Sequence, residues 1–376
     1  MNFYKTFIID YGNNDDKHCN HHIRKILDLL ISKYKYTKLS INELTDNKGK
    51  ILEYFQENYS IIPKNILAFE GTYQFIDIID ELSRFTNISF IIDDIHHSYK
   101  IRSYRVPIFH KSKYLFLTYA YNFNNYYIEL KNKHNGVIFL PHSSCHDIKF
   151  NENPVNKILI SGHLNKEIYP DRDYIVNLSK TNEYNDKLVY FKPDYNGYHI
   201  KEHDRDKTYG YKYYNLLNNY ICCVVDESVR NYILAKVFEI LASGSLLLVF
   251  NKNTKHIYEY LGLYDGVHYL STTIDDFENK IDFILNPSNK FIIDEIRMNG
   301  YKILNKKHYY KNRCEYIHKI LNNNNKISIQ RPYTYYANSS FYIDNSEGTA
   351  IAEEATEPQN NLNLYYKFTM ENYHLD

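Results

Sequence analysis

Short apolar runs alternate with amphipathic stretches along most of this chain, and that alternation limits its fold more than any other feature. "YKTFIID" ends at Asp10, and "HHIRKILDLLISKY" follows with Ile23, Ile26, Leu27, Leu30 and Ile31 at helical spacing. "YTKLSI", "NILAFE", "ISFIID", "YLFLTYA" and "GVIFLPH" continue the strand series, with "KGKILEYFQENY" and "YQFIDIIDELSRF" as helices among them. The strand runs are continuously apolar, as strands buried on both faces of a parallel sheet are. Strands alternating with helices specify a doubly wound α/β sheet.

The polar stretch "HSSCHDIKFNENPVN" at 142–156 interrupts the series and holds Pro154, so a domain linker is expected there. The alternation then restarts with "KILISG", "KLVYF", "YICCVVD", "SLLLVF" and "VHYL" as strands. "RDYIVNLS", "YGYKYYNLLNN", "NYILAKVFEILAS", "TKHIYEYLGL" and "IDDFENKIDFILN" supply helices, and Gly244 suits a helix C-cap. Two Rossmann-like domains are expected, 1–150 and 151–321, with no self-similar repeat between them. Residues 322–376, rich in Asn, Tyr and Ser, are expected to form a weakly structured tail or a strap.

The length of 376 residues is enough for two cores. Lys+Arg and Asp+Glu are both 45, so no global field recruits nucleic acid or an anionic membrane. Five cysteines without a CxxC spacing argue against a disulfide framework and a zinc ribbon. The N-terminal apolar stretch is short and meets Asp10, unlike a signal peptide, and no run approaches the ~18 apolar residues of a membrane span. A soluble cytoplasmic chain is the expectation. The abundance of Ile, Asn, Lys and Tyr (41 Tyr, no Trp) points to an AT-rich coding sequence, such as that of a large DNA virus.

Several chemistries are excluded by missing motifs. "DYGNND" has one glycine, so there is no G-x-G-x-x-G after the first strand, and no P-loop, G-x-S-x-G or H-E-x-x-H occurs. "HCNHH" gathers His18, Cys19, His21 and His22, but no partner cluster completes a tetrahedral zinc site. "DRD" at Asp171–Asp173 and Asp204–Asp206 follows no strand directly and reads as turn or helix-start charge. "FIIDDIHHSY" at 90–99 has the side chains of a hard metal site, and equally those of a strand-end loop whose Asp caps a helix. No metal and no cofactor are expected.

The most specific pattern is "VRNYILAKVFEILASGSLLLVF". Arg230 lies after a strand, Lys236 and Glu239 sit one helical turn apart, and Ser243–Gly244 leads into the next strand. A helix start after a strand is where an α/β sheet binds anions. The plain alternative is an exposed i, i+3 ion pair worth about 0.3 kcal/mol.

This stretch resembles the donor-binding segment of GT-B glycosyltransferases of the group-1 (GT4-like) superfamily, through Lys236, Phe238, Glu239, Ala242, Gly244, Leu248 and "VHYL". "IRMNGYKILNKKHYYKNRCEYI", with Gly300, His308 and Arg313, resembles the terminal helices of that family. "KILISGHLNKEIYPDRDYIVNL" resembles the strand and turn that open its donor domain, "FLPHS" the end of its acceptor domain, and "IIDDIHHSY" an acceptor-side cleft loop. The resemblance implies a GT-B fold, with two Rossmann-like domains facing a central cleft. It implies transfer of a sugar from a UDP- or GDP-sugar to a glycan, protein or lipid-linked hydroxyl, without metal and with retention. Glu239 is then a ribose ligand. Lys166, Arg172, Arg230 and Lys236 face the diphosphate, Ser243 and Gly244 belong to the donor segment, and Asp94 and His97 are the catalytic candidates, facing the acceptor. One departure is plain: where many members carry a first glutamate, this chain has Asn231. A non-catalytic nucleotide-sugar binding module is the leading alternative. A GT-B-shaped epimerase is a second, and a nucleic-acid binder is disfavoured by zero net charge.

Overall fold

A computed structural model describes residues 5–10, 21–130, 136–192 and 210–322. His18, Cys19, Asp204–Asp206 and the stretch 323–376 lie outside the described residues.

The apolar runs form two parallel sheets. The first contains β1 (Thr6–Asp10), β2 (Thr37–Ser40), β3 (Asn65–Phe69), β4 (Asn87–Ile92), β5 (Tyr114–Leu117) and β6 (Val137–Phe139). The second contains β7 (Val155–Ser161), β8 (Leu188–Phe191), β9 (Tyr220–Asp226), β10 (Leu246–Phe250) and β11 (Leu270–Ser271). Their orders are β2-β1-β3-β4-β5-β6 and β11-β10-β9-β7-β8. Counted from its own first strand, each sheet runs 2-1-3-4-5, so one doubly wound topology occurs twice without sequence repetition. Each has a switch point beside its first strand, between β1 and β3 and between β7 and β9. At a switch point the connections leave toward opposite faces and open a crevice at the strands' carboxyl ends.

Most expected helices form, and one differs. Residues 73–85 were expected as one helix; they form a 3₁₀ turn, Thr72–Phe75, and a single α turn, Ile79–Leu82. Phe75, Ile78, Ile79 and Leu82 are all buried, so the apolar spacing is satisfied by two tight turns. "VHYL" contributes only Leu270–Ser271 to the sheet, because His268 and Val267 are held in a turn by Tyr264 O.

The last helix, Tyr310–Asn322, crosses back to the first sheet. Cys314, Ile317, Ile320 and Leu321 pack with Ile8, Ile23, Ile26, Leu67 and Phe116 in one apolar cluster. Asn65 Nδ2 donates to Leu321 O at 3.1 Å and Arg313 Nε to Pro141 O at 3.0 Å. By packing, this helix belongs with the first half, although the sequence places it in the 151–321 segment. Another cluster runs from Phe7, Phe90 and Leu117 through Tyr119 and Tyr121 into Tyr232, Ile233 and Val237, so the two halves share a core. No helix of the described residues is long and apolar enough to cross a membrane.

Candidate functional site

The carboxyl end of β7 is Ser161, followed by Gly162 at φ +125°. A Cβ at Gly162 would stand 2.2 Å from Lys236 Nζ and 2.8 Å from Arg172 Nη1. Glycine is therefore what lets two cations approach the backbone at the second switch point. Lys236 is the second residue of helix Ala235–Ala242, and its Nζ donates to Ser161 O at 2.5 Å. That helix has no side-chain N-cap. Arg172 comes from helix Pro170–Leu178, where Pro170 suits the first turn. Its guanidinium donates to His163 O at 2.9 Å and to Asp226 Oδ1 at 2.5 Å, and lies 3.9 Å from the Tyr169 ring centroid. Asp226 ends β9 and is 2 % exposed, and its Oδ2 has no hydrogen-bond partner among the described residues.

Glu239 lies one turn beyond Lys236, and both are half-buried. The exposed-pair alternative is thereby set aside. Burial and then the nearby Arg172 push the Lys236 ammonium down, while burial pushes the Glu239 carboxyl up against the pull of Lys236. Glu239 also borders an enclosed cavity of about 10 Å³, room for one water, with His21, His22, Ser143, Cys145 and Tyr214. Next to Asp226, Glu227 accepts from Asn253 N at 3.0 Å and Thr254 Oγ1 at 2.6 Å; burial pushes its carboxyl up to about 7.

The other expected donor-side residues fall in different places. Lys166 is exposed in the turn between Gly162 and Pro170. Arg230 and Asn231 lie on the loop between β9 and helix Ala235–Ala242. Asn231 takes φ +55°, and its Oδ1 accepts from Asn253 Nδ2 at 2.9 Å. Ser243 and Gly244 are a correction to the expected site. They close the far end of the helix, at the amino edge of β10, about 16 Å of strand away from Asp226, which pairs with Phe250. Ser243 Oγ donates to Glu239 O at 2.8 Å, and Gly244 at φ +73° faces Phe150 and accepts from Arg297 Nε at 3.1 Å. Both are occupied as the helix C-terminus.

The carboxyl edge of the first sheet is built differently. Glu70, just past β3, accepts from Asp93 N at 2.7 Å, Asp94 N at 3.3 Å and Arg105 Nη2 at 2.6 Å. Arg105 also donates to Asp94 O at 2.6 Å, so an ion pair shapes the loop "DDIHH". Thr118 Oγ1 donates to Asp93 O at 2.6 Å. The Asp94 carboxylate stands 3.4 Å from His96 Nδ1. His97 Nε2 is buried without a hydrogen-bond partner among the described residues, and burial with Arg105 nearby pushes the ring down to about 4. No group of three or more His, Cys, Asp or Glu among the described residues is placed to hold a metal ion.

The two edges meet. Tyr119 stacks on Tyr232 with ring centroids 3.7 Å apart and planes 7° from parallel. The His96 ring is 5.5 Å from Tyr232. Ile233 N donates to Tyr121 Oη at 2.9 Å, and Asn122 Nδ2 to Arg230 O at 3.0 Å. The loop that carries Arg230 and Asn231 is thus fixed by the first half. Behind it, Tyr119 Oη joins His142 Nε2 at 3.0 Å, and His142 Nδ1 joins His22 Nε2 at 3.1 Å. Burial keeps both rings neutral near pH 7, His142 down to about 4.

Sequence reasoning missed Asp226, Glu70, Arg105, Tyr119, Tyr232 and His142. Asp226 and Glu70 each end or follow an apolar run, in "YICCVVD" and "NILAFE", and a carboxylate at that place was the available signal.

No family model matches the sequence, and no curated protein does. Solved structures match in fold. HepE from Anabaena in complex with UDP-glucose superposes with a TM-score of 0.54 at 10 % identity, covering 84 % of this chain and 99 % of its own. A glycosyltransferase from Rickettsia africae gives 0.51 at 11 %, covering 86 % and 100 %. The lipopolysaccharide outer core galactosyltransferase WaaB gives 0.50 at 8 %, covering 84 % and 98 %. The chain spans 59 % of the chain it matches in the GtfA/B complex, with a TM-score of 0.49. The protein has the GT-B fold of these glycosyltransferases: two Rossmann-like sheets with their carboxyl edges turned toward one cleft.

Proposed function

We propose that the protein is a glycosyltransferase that moves a sugar from a UDP- or GDP-sugar to an acceptor hydroxyl of a glycan, protein or lipid-linked chain, without a metal and with retention. The observation that carries this reading is the cradle at Gly162, where Lys236 and Arg172 converge on the switch point of the second sheet. HepE, of the same fold, is known with UDP-glucose bound, which supports a nucleotide-sugar as the donor.

In this reading the diphosphate lies over Gly162 and Lys236. The bond from the anomeric carbon to the phosphate oxygen breaks, the bond to the acceptor oxygen forms, and the acceptor proton passes to the departing phosphate. Lys236, Arg172, Arg230 and Lys166 offset the charge that develops on the leaving diphosphate, as preorganised cations do in a site shielded from water. Glu239 accepts hydrogen bonds from the ribose. Asp94 and His97 face the acceptor. Asn231, in place of a carboxylate, favours the second reading, a module that binds nucleotide-sugar without turning it over.

Thermal unfolding with UDP, GDP or dTDP, followed by a panel of their sugars assayed for transfer and hydrolysis, tests both. UDP or GDP should raise the midpoint, and the rise should vanish in Lys236→Ala and Glu239→Ala. No shift at millimolar nucleotide sinks both readings; a shift without turnover favours the binding module. Activity should survive EDTA and fall in Asp94→Ala or His97→Ala. Loss in EDTA that Mn²⁺ restores would overturn metal independence.

A further inference from the structure

A second concave surface lies outside the cleft. It is a groove of about 590 Å³ between the end of helix Lys290–Lys307, the start of helix Tyr310–Asn322, and the linker at Asp147. That volume is within the range of small-molecule sites, roughly 300–1,000 Å³. Lys302, Lys306 and Lys311 line it. Lys302 and Lys306 are four residues apart on one helix and share a face. All three are exposed, and none has a carboxylate within ion-pair distance among the described residues. The stretch 300–314 has four lysines and Arg313 and no acidic residue, in a chain of zero net charge. Asp147 is the groove's own carboxylate.

The remaining walls are aromatic and amide. Tyr301 donates its hydroxyl to Ile148 O at 2.7 Å, which fixes the ring as a side wall, and Asn305 lies beside it in the groove. Tyr309 is 8 % exposed and forms the floor, with the Lys311 ammonium 5.5 Å from its ring centroid. The half-buried Tyr301 ring offers an apolar face to a sugar ring, and ammonium groups without a carboxylate partner answer its anionic substituents. Three unpaired cations are too few for a nucleic-acid duplex, whose binders neutralise about 6–10 phosphates.

We propose that this groove binds an anionic saccharide, one bearing phosphate, sulfate or carboxylate groups, separately from the nucleotide-sugar in the cleft. The site stands independently of the transfer reaction, because it is read by binding alone. The probe is a heparin-derived tetrasaccharide, titrated by calorimetry against the full chain. An uncharged dextran tetrasaccharide, tripolyphosphate and a ten-base-pair DNA duplex are run beside it. The sulfated tetrasaccharide should bind, weaken with salt, and lose at least tenfold in affinity in Lys302→Glu/Lys306→Glu, while dextran does not bind. The variant should keep the wild-type unfolding midpoint and the wild-type response to UDP, since both lysines are exposed and outside the cleft. Lys311→Gln should weaken binding by a smaller factor. No binding, or equal binding by wild type and the double variant, overturns the proposal. Equal affinity for tripolyphosphate overturns the saccharide assignment in favour of a plain phosphate site, and equal affinity for DNA overturns it in favour of nucleic acid.

Discussion

The two carboxyl edges share one topology and differ in what they leave open. In the first sheet the polar groups occupy one another: Glu70 with Arg105 and two backbone amides, Thr118 with Asp93, His142 with His22 and Tyr119. In the second, a glycine lets an ammonium and a guanidinium close on the backbone, and one oxygen of a buried carboxylate has no partner among the described residues. The first edge is held mainly by one carboxylate and one guanidinium that bind loop backbone, with His97 Nε2 left without a partner among the described residues, whereas the second gathers two cations around one buried carboxylate. The same winding of the chain has thus produced two carboxyl edges with different polar architecture.

The largest effect that can break this contrast is at Arg172. Replacing it with Met leaves Asp226 buried and unpaired, and should cost about 3–5 kcal/mol in urea unfolding. Arg172→Met/Asp226→Leu should recover much of that loss, because both charges are removed together. A double variant as unstable as the single one would show that the pair is not what holds this edge. Gly162→Ala should cost about 1–3 kcal/mol from its backbone conformation. Its effect on nucleotide binding should be greater than on folding, since the new methyl displaces the end of the flexible Lys236 side chain. Tyr121→Phe removes the acceptor for Ile233 N and should cost about 1–3 kcal/mol. It should also weaken nucleotide binding, although Tyr121 lies on the opposite half; an unchanged response to UDP would separate the halves functionally.

The most discriminating effect is in pH. Glu227 is raised in the folded state from 4.5 to about 7, so the folded protein holds the extra proton between those values. Its contribution to stability therefore falls as pH rises from 4.5 to 7. His142 is lowered from 6.5 to about 4, so the unfolded chain holds the extra proton, and its contribution rises with pH from 4 to 6.5. Difference profiles for Glu227→Gln and His142→Phe against wild type should slope in opposite directions. Two slopes of the same sign would contradict the placement of one of these groups.

Local patterns revealed the layout, and distant pairings were hidden from them. Continuous apolar runs located the strands, and a helix start after a strand drew attention to Lys236 and Glu239. Arg172 was named through the resemblance, but its partner Asp226 is 54 residues away, and no spacing rule spans that distance. Ser243 and Gly244 were drawn into the expected site because they adjoin Glu239 in sequence, yet the helix runs back along the sheet and carries them to the opposite edge. The shape of "DDIHH" was hidden for the same reason: Glu70 and Arg105, which come from other segments, fix the loop through its backbone.

The return of helix Tyr310–Asn322 to the first sheet has a consequence for the order in which the protein is made. Leu67, Ile91, Phe116 and Ile138 are synthesised early, but the helix that covers their face beside His21–Tyr34 is completed only near residue 321. At about 5–20 residues per second, a ribosome needs roughly 10–40 s to pass from the last strand of that sheet to its final helix. For that interval the nascent first half carries an open apolar face, and the polypeptide must thread the whole second half before the first is finished.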